Sequence, residues 1–445
     1  MPEQLQKAGV LDLKQVQLCV LNNTGIKSQV DVKDQVAMFS LVQDLFSSSI
    51  QATFTMSDST GNITRFNKSG YQGQEFISLR CKKPGSDEKL IDLQFWIYDV
   101  SEISGSFKND SSTYTLSGIT KEKLIDVYSD VNQSFNSSYS DAAVSIFDNY
   151  IKNDSRNKKL FKSYSGFAFK PRSLEVHESR VENQFIIPGK QPFDAIDFCA
   201  RRCLGRKGSN SKASSIFLFY ENINGYYFHC LDDLINDGKR NVTSDLTFEY
   251  EPMKKDNDGK RFDRKIRDLS SVKTSDNLVN ANGGVFKNSV LIVDPVGKTF
   301  SRKVFDYNIK FNDLQHLNEK QLIDNEYITE FTRPTYEHLF LKDTTKKNQH
   351  FDQILNFGIP YIVQLHNLQI QMSIEGDTSI VPGQVIFLKV PEMSAITDKP
   401  LERSSTKFSG YWLVTNVVHE YTRDSFLTTL TVMKDSISEA LGEIK

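Results

Sequence analysis

The chain has 445 residues, which at ~150 residues per domain predicts about three domains. Its 54 basic and 56 acidic residues leave a formal charge of −2, without the basic excess that a phosphate-gripping protein carries, so general nucleic-acid binding is disfavoured and no sequence-specific nucleic acid is expected as a partner. Only 23 Gly and 12 Pro are present, which excludes collagen-like and linker-dominated chains, and no stretch approaches the ~18 uncharged apolar residues of a membrane helix.

The first residues, Met1 to Lys7, show no basic stretch followed by an apolar one, so no secretory signal is read there and a soluble product made in a cytoplasm is expected. The five cysteines, Cys19, Cys81, Cys199, Cys203 and Cys230, are scattered and odd in number. Reduced thiols buried as small hydrophobes are expected rather than a disulfide scaffold.

Residues 1–115 read as strands. Lys14 to Asn22 is short and apolar. Ser48 to Ser57 alternates, with Ile50, Ala52, Phe54 and Met56 on one face. Glu75 to Lys82 and Leu90 to Val100 follow, the latter with Leu93, Phe95 and Ile97 at period two, and Gly61-Asn62 and Gly70 to Gly73 read as turns. The pattern predicts an antiparallel barrel or sandwich.

An α/β block follows over 116–235. Thr120 is placed to cap a helix carrying Leu124, Ile125, Tyr128 and Val131. Asp141 to Ile151 keeps Ala142, Ala143, Ile146, Phe147 and Tyr150 on one side. Pro192 suits a first helical position, with Phe193, Ile196, Ala200 and Cys203 as the buried stripe. Asn224-Gly225 between two apolar runs predicts a hairpin.

Strand character returns over 236–310 and 355–445, which together form the expected second barrel. Ser289 to Val293 and Thr299 to Tyr307 bracket a turn at Asp294 to Gly297. Leu368, Ile370, Met372 and Ile374 alternate, Val385 to Val390 runs on, and Tyr411 to Tyr421 and Phe426 to Val432 form a hairpin around Arg423-Asp424. Residues 311–354 are polar and poorly patterned, and read as an insertion. The fold class is therefore mainly β with an α/β insertion.

Motifs that carry chemistry fail on inspection. Gly297-Lys298-Thr299 lacks the first glycine of a phosphate loop, since residue 292 is Ile. Asp256 to Gly259 would place Lys254 and Lys265 where a calcium loop needs carboxylates. His229 and His419 lie in apolar strands and read as sheet residues. Cys199 and Cys203, four apart, have no nearby second pair to complete a metal site. The basic runs Arg201 to Lys207 and Lys254 to Arg267 read as solvated loops. No catalytic, cofactor or metal residue is assigned, and no enzyme activity is expected.

Four segments in order resemble the baseplate hub protein of contractile-tailed bacteriophages. They are Ile186 to Ile196 with Phe217 to Asn222; Gly284 to Ser289 running to Phe305-Asp306-Tyr307; Ile374 to Val385; and Ser409 to Thr415 with Val417 to His419. The resemblance implies two tail-tube-like antiparallel β-barrels plus inserted domains, in a homotrimer whose pseudo-sixfold ring joins the sixfold tail tube to the threefold spike. It is also similar in part to the base of type VI secretion spikes. It implies a virion location in the tail baseplate after synthesis in the host bacterial cytoplasm. The implied partners are other copies of itself, a spike protein, the tail tube protein or tube initiator, baseplate wedge proteins and the tape measure protein, with no membrane insertion and no cofactor. Gly376, Asp377, Pro382 and Gly383 are expected to shape the barrel turn, and Phe54, Phe95, Ile370, Trp412 and Val414 are candidate subunit contacts. A β-rich carbohydrate-binding or adhesin tail protein, using Tyr226 and Tyr227, stays open as the alternative. A wall hydrolase with carboxylates assembled by the fold comes third.

Overall fold

The structure is a computed structural model, and it describes residues 11–22, 25–59, 71–82, 90–103, 112–153, 172–179, 182–205, 216–250, 264–273, 276–282, 284–294, 297–322, 337–341, 358, 360–392 and 404–438. The turns expected at Gly61-Asn62 and at Gly70 lie outside these residues. So do Asp256 to Gly259, Pro295-Val296, and Arg206 and Lys207.

Period-two alternation builds the first strands: β1 (Asp12–Asn22), β2 (Gly25–Asp31), β3 (Val36–Asp44), β4 (Gln51–Asp58), β5 (Glu75–Lys82), β6 (Ile91–Ile103) and β7 (Ser112–Thr120). Ala52, Phe54 and Met56 of β4 and Ile91, Leu93, Phe95 and Ile97 of β6 all point into one core, as their spacing requires. The α/β block holds β8 (Val131–Ser138), β9 (Leu174–Val176), β10 (Glu182–Lys190), β11 (Phe217–Asn222) and β12 (Gly225–Cys230). After it come β13 (Thr247–Glu249), β14 (Ile266–Lys273), β15 (Lys287–Asp294), β16 (Thr299–Asp306), β17 (Lys320–Gln321) and β18 (Glu337–Leu341). The last strands are β19 (Leu368–Glu375), β20 (Val385–Lys389), β21 (Gly410–Thr422), β22 (Phe426–Lys434) and β23 (Ser436–Ile437).

One large sheet runs through both β regions in the order β14-β19-β22-β21-β3-β4-β7-β6-β5-β1-β2, with β20 also on β21 and β13 on β20. All its ladders are antiparallel except β13 with β20. The two halves join where β21 pairs β3, from Asn416 opposite Asp44 to Thr422 opposite Met38. Each half wraps its own core. Val16, Leu18, Phe39, Phe54 and Phe95 fill the first, and Ile370, Met372, Leu388, Trp412 and Leu430 the second. Each such side chain contributes about 1.5–3 kcal/mol through burial. The fold is mainly β with an α/β insertion, as the sequence predicts.

The insertion has its own core of Ala142, Ile146, Phe193, Ile196, Phe219 and Phe228. Pro192 opens the helix Pro192–Ala200, as expected. The helix expected over Asp141 to Ile151 is instead an α-helix over Tyr139–Ile146, continued by a π-helical turn over Phe147–Lys152. Ser138 caps it, its hydroxyl accepting from the Asp141 amide at 3.1 Å. Thr120 does precede a helix, Lys121–Val127, but its hydroxyl turns away from that helix to donate to Glu221 at 3.0 Å.

Two polar readings are corrected. The stretch from residue 311 begins with Phe311, Leu314 and Leu317, which are buried in a junction core with Leu45, Tyr220 and Tyr361. Arg264 and Arg267, expected in a solvated loop, pair with Asp377 at 2.6 Å and with Glu375, because β14 runs antiparallel to β19 and brings them to its end.

Candidate assembly surfaces and the buried junction

The turn residues named from the sequence, Gly376, Asp377, Pro382 and Gly383, lie between β19 and β20. A Cβ on Gly376 would sit 1.8 Å from Phe426 Cδ1, so only glycine lets β19 pass the ring. Asp377 Oδ1 accepts from the Ser379 amide at 2.9 Å and its hydroxyl at 2.6 Å. Pro382 is buried in the turn that follows. Gly383 has φ +90°, a conformation that L side chains rarely adopt, and a Cβ there would sit 2.7 Å from the Tyr220 hydroxyl.

Phe54, Phe95, Ile370, Trp412 and Val414 were expected at subunit contacts. All five are sealed inside the chain's own cores, at no more than 1% exposure. Alternation explains this: the apolar face of a half-buried strand meets its own core, and the opposite face and the strand edges remain for a neighbour. Trp412 donates Nε1–H to the Phe408 carbonyl at 3.0 Å and lies under Lys434 Nζ at 4.5 Å from its ring. The large apolar side chains that do face outward include Tyr98, Tyr128, Ile186, Leu278, Phe300 and Ile309. The sheet path ends on β2 at one side and on β14 at the other.

A charged network between the first β region and the insertion escaped the sequence reading. Glu221 is 1% exposed, and its Oε2 accepts from the Ile50 amide at 2.7 Å and the Thr120 hydroxyl at 3.0 Å. Arg172 donates to the other oxygen and to the Asn222 carbonyl. Burial pushes the Glu221 carboxyl up to about 7, against the pull of Arg172. Beside it, Gln43 Oε1 accepts from the Ile223 amide at 2.9 Å. The available signal was a glutamate inside an apolar strand just before an Asn-Gly turn, since a buried carboxylate there requires a partner.

The histidines and cysteines singled out in the sequence sit inside the sheets and cores. His229 and His419 are sheet residues, as expected, with burial lowering them to about 3 and about 4. His419 Nδ1 meets the Thr428 hydroxyl at 3.0 Å. All five cysteines are free and buried. Among the described residues no group of three His, Cys, Asp or Glu could hold a metal ion, and no helix is long and apolar enough to cross a membrane. Tyr226, one of the two aromatics offered for carbohydrate, is fully buried over Phe147 and Phe193, leaving Tyr227 half-buried.

No family model matches the chain. A probable baseplate hub protein of Vibrio phage KVP40 is 24% identical over 278 residues, covering 59% of this chain and 62% of that protein. The 43 kDa tail protein of prophage MuSo2 from Shewanella oneidensis superposes with a TM-score of 0.51 at 8% identity, covering 95% of this chain and 98% of that one. A tail protein from Neisseria meningitidis MC58 gives 0.48 at 10% identity, over 95% and 96%. The chain is thus similar in sequence to a probable phage baseplate hub protein and in fold to a prophage tail protein.

Proposed function

We propose that the chain is a structural component of a phage tail baseplate, the hub whose trimer forms a pseudo-sixfold ring between the sixfold tail tube and the threefold spike. The observation that carries this reading is the sequence match to a probable baseplate hub protein, joined to a tail-protein fold along nearly the whole chain. In this reading 1–115 and the pair 236–310 and 355–445 are the tube-like units, with 116–235 between them. The strands on which the path of described strands ends, β2 and β14, are where one copy meets the next, since Phe54, Phe95, Ile370, Trp412 and Val414 are buried in the chain's own cores. Closing a ring satisfies such edges for every copy at once. The tube or its initiator, the spike, the wedge proteins and the tape measure are the partners, the virion tail is the location, and no reaction is assigned.

Light scattering across a concentration series tests it. A stable particle of three times the 50.8 kDa protomer is expected. A strict monomer at every concentration, persisting on co-expression with the spike, overturns the trimeric ring. The carbohydrate reading loses its main support with the burial of Tyr226.

A further inference from the structure

The β11–β12 hairpin does not end its own sheet. The short strand β9 covers the outer edge of β12 in parallel, with Leu174, Glu175 and Val176 opposite Tyr226, Tyr227 and Phe228. The segment 172–179 is tied at one end by Arg172 to Glu221 and at the other by Ser179, which shares hydrogen bonds with Ser140. Between those ties stands His177. Its amide donates to the Phe228 carbonyl at 2.9 Å, and its imidazole Nδ1 accepts from the Cys230 amide at 3.2 Å. Its ring lies flat on that of His229, with centroids 3.9 Å apart and planes 12° from parallel.

This arrangement requires a neutral His177. An Nδ1 that accepts a backbone N–H carries no proton, so the ring's hydrogen is on Nε2. Adding a proton places N–H against N–H at the Cys230 contact, and puts a cation face to face with a second imidazole. An alternative acceptor for the new Nδ1–H is the Asp233 carboxylate, whose Oδ2 is 3.7 Å away on the helix Leu231–Arg240. The His177 side chain is 25% exposed, so solvent protons reach it.

We propose that His177 is an acid-operated latch: on protonation its Nδ1 exchanges the Cys230 amide for the Asp233 carboxylate, unstacks from His229, and loosens β9 from the edge of β12. The titratable groups facing the two rings are Glu175 on β9, Tyr220 on β11, Tyr227 and Cys230 on β12, and Asp233 on the helix. Glu175 Oε1 is 3.6 Å from His229 Nε2, and the Tyr220 hydroxyl is 3.3 Å from His229 Nδ1. Burial first and His177 second lower His229, and of the two rings His177 is the more exposed to solvent. The end ties make the release local, and what it uncovers is a strand edge, the feature through which sheets recruit partners. The latch stands whether or not the hub reading holds.

Amide hydrogen exchange of the full chain between about pH 7.5 and 5, corrected for intrinsic rates, tests it. The His177 and Cys230 amides should lose about tenfold in protection across that range while the amides of β11 hold theirs. In His177→Asn the side-chain carbonyl can accept from Cys230 without titrating, so the loss should vanish. Asp233→Asn weakens the alternative acceptor and should move the loss to lower pH. A flat wild-type profile, or the same profile in His177→Asn, overturns the latch. Should that variant not fold, the wild-type His177 ring titration followed by NMR must coincide with a shift of the Cys230 amide. Independent behaviour of the two overturns it equally.

Discussion

Lys434 shows how far one side chain can depart from its ordinary chemistry. It is fully buried, its Nζ donates to the Ser409 carbonyl at 3.0 Å, and burial lowers its pKa to about 7. A base whose folded pKa lies below its unfolded value binds fewer protons when folded, so stability rises with pH between about 7 and 10 through this group. Relative to Lys434→Met, the wild type should gain about 2 kcal/mol from pH 7 to 9 in urea unfolding. Gly376 makes the opposite case, a residue important for having no side chain. Gly376→Ala should cost at least about 1–3 kcal/mol in the same measurement, since the new methyl and the Phe426 ring claim one space. The glycine was legible in the sequence as a turn, but the ring it accommodates was not, because Phe426 belongs to another strand.

Strands were legible where alternation was unbroken. β4 carries Ala52, Phe54 and Met56, β6 carries Ile91, Leu93, Phe95 and Ile97 before its register shift, and β19 carries Leu368, Ile370, Met372 and Ile374 at every second position, and each was readable within a few residues of its ends. β3 was not. A register shift between Val36 and Met38 breaks its period, and Gln43 points inward among apolar neighbours. β14 hides in a charged stretch for a similar reason: its ladder with β19 is irregular at both ends, and arginines hold it there. Arg264→Ala strips Asp377, itself 1% exposed, of its guanidinium partner. It should cost about 3–5 kcal/mol in denaturant unfolding and raise exchange at the amides of β14.

At the scale of the molecule, the sequence displayed an order of β, α/β and β, but not the sheet that fuses them. The Asn416 amide reaches Asp44 across 372 positions, and Glu221 reaches Ile50 across 171; no local pattern encodes such pairings. For the same reason the sequence alone does not show that Phe54, Phe95 and Trp412, nominated as subunit contacts, pack into the chain's own cores. Their apolar character marks them equally well for a subunit face or a core, and three-dimensional closure decided for the core.

The ladder between β3 and β21 also governs the birth of the molecule. β3 and β4 leave the ribosome early, and the other edge of β3 then waits for a strand encoded far downstream. At ~5–20 residues per second, those 372 positions correspond to roughly 20–75 seconds of translation during which the future centre of the sheet stands open. A shield for Leu41 and Val42 over that interval, from a chaperone or from the nascent chain itself, is a requirement set by topology before any assembly begins.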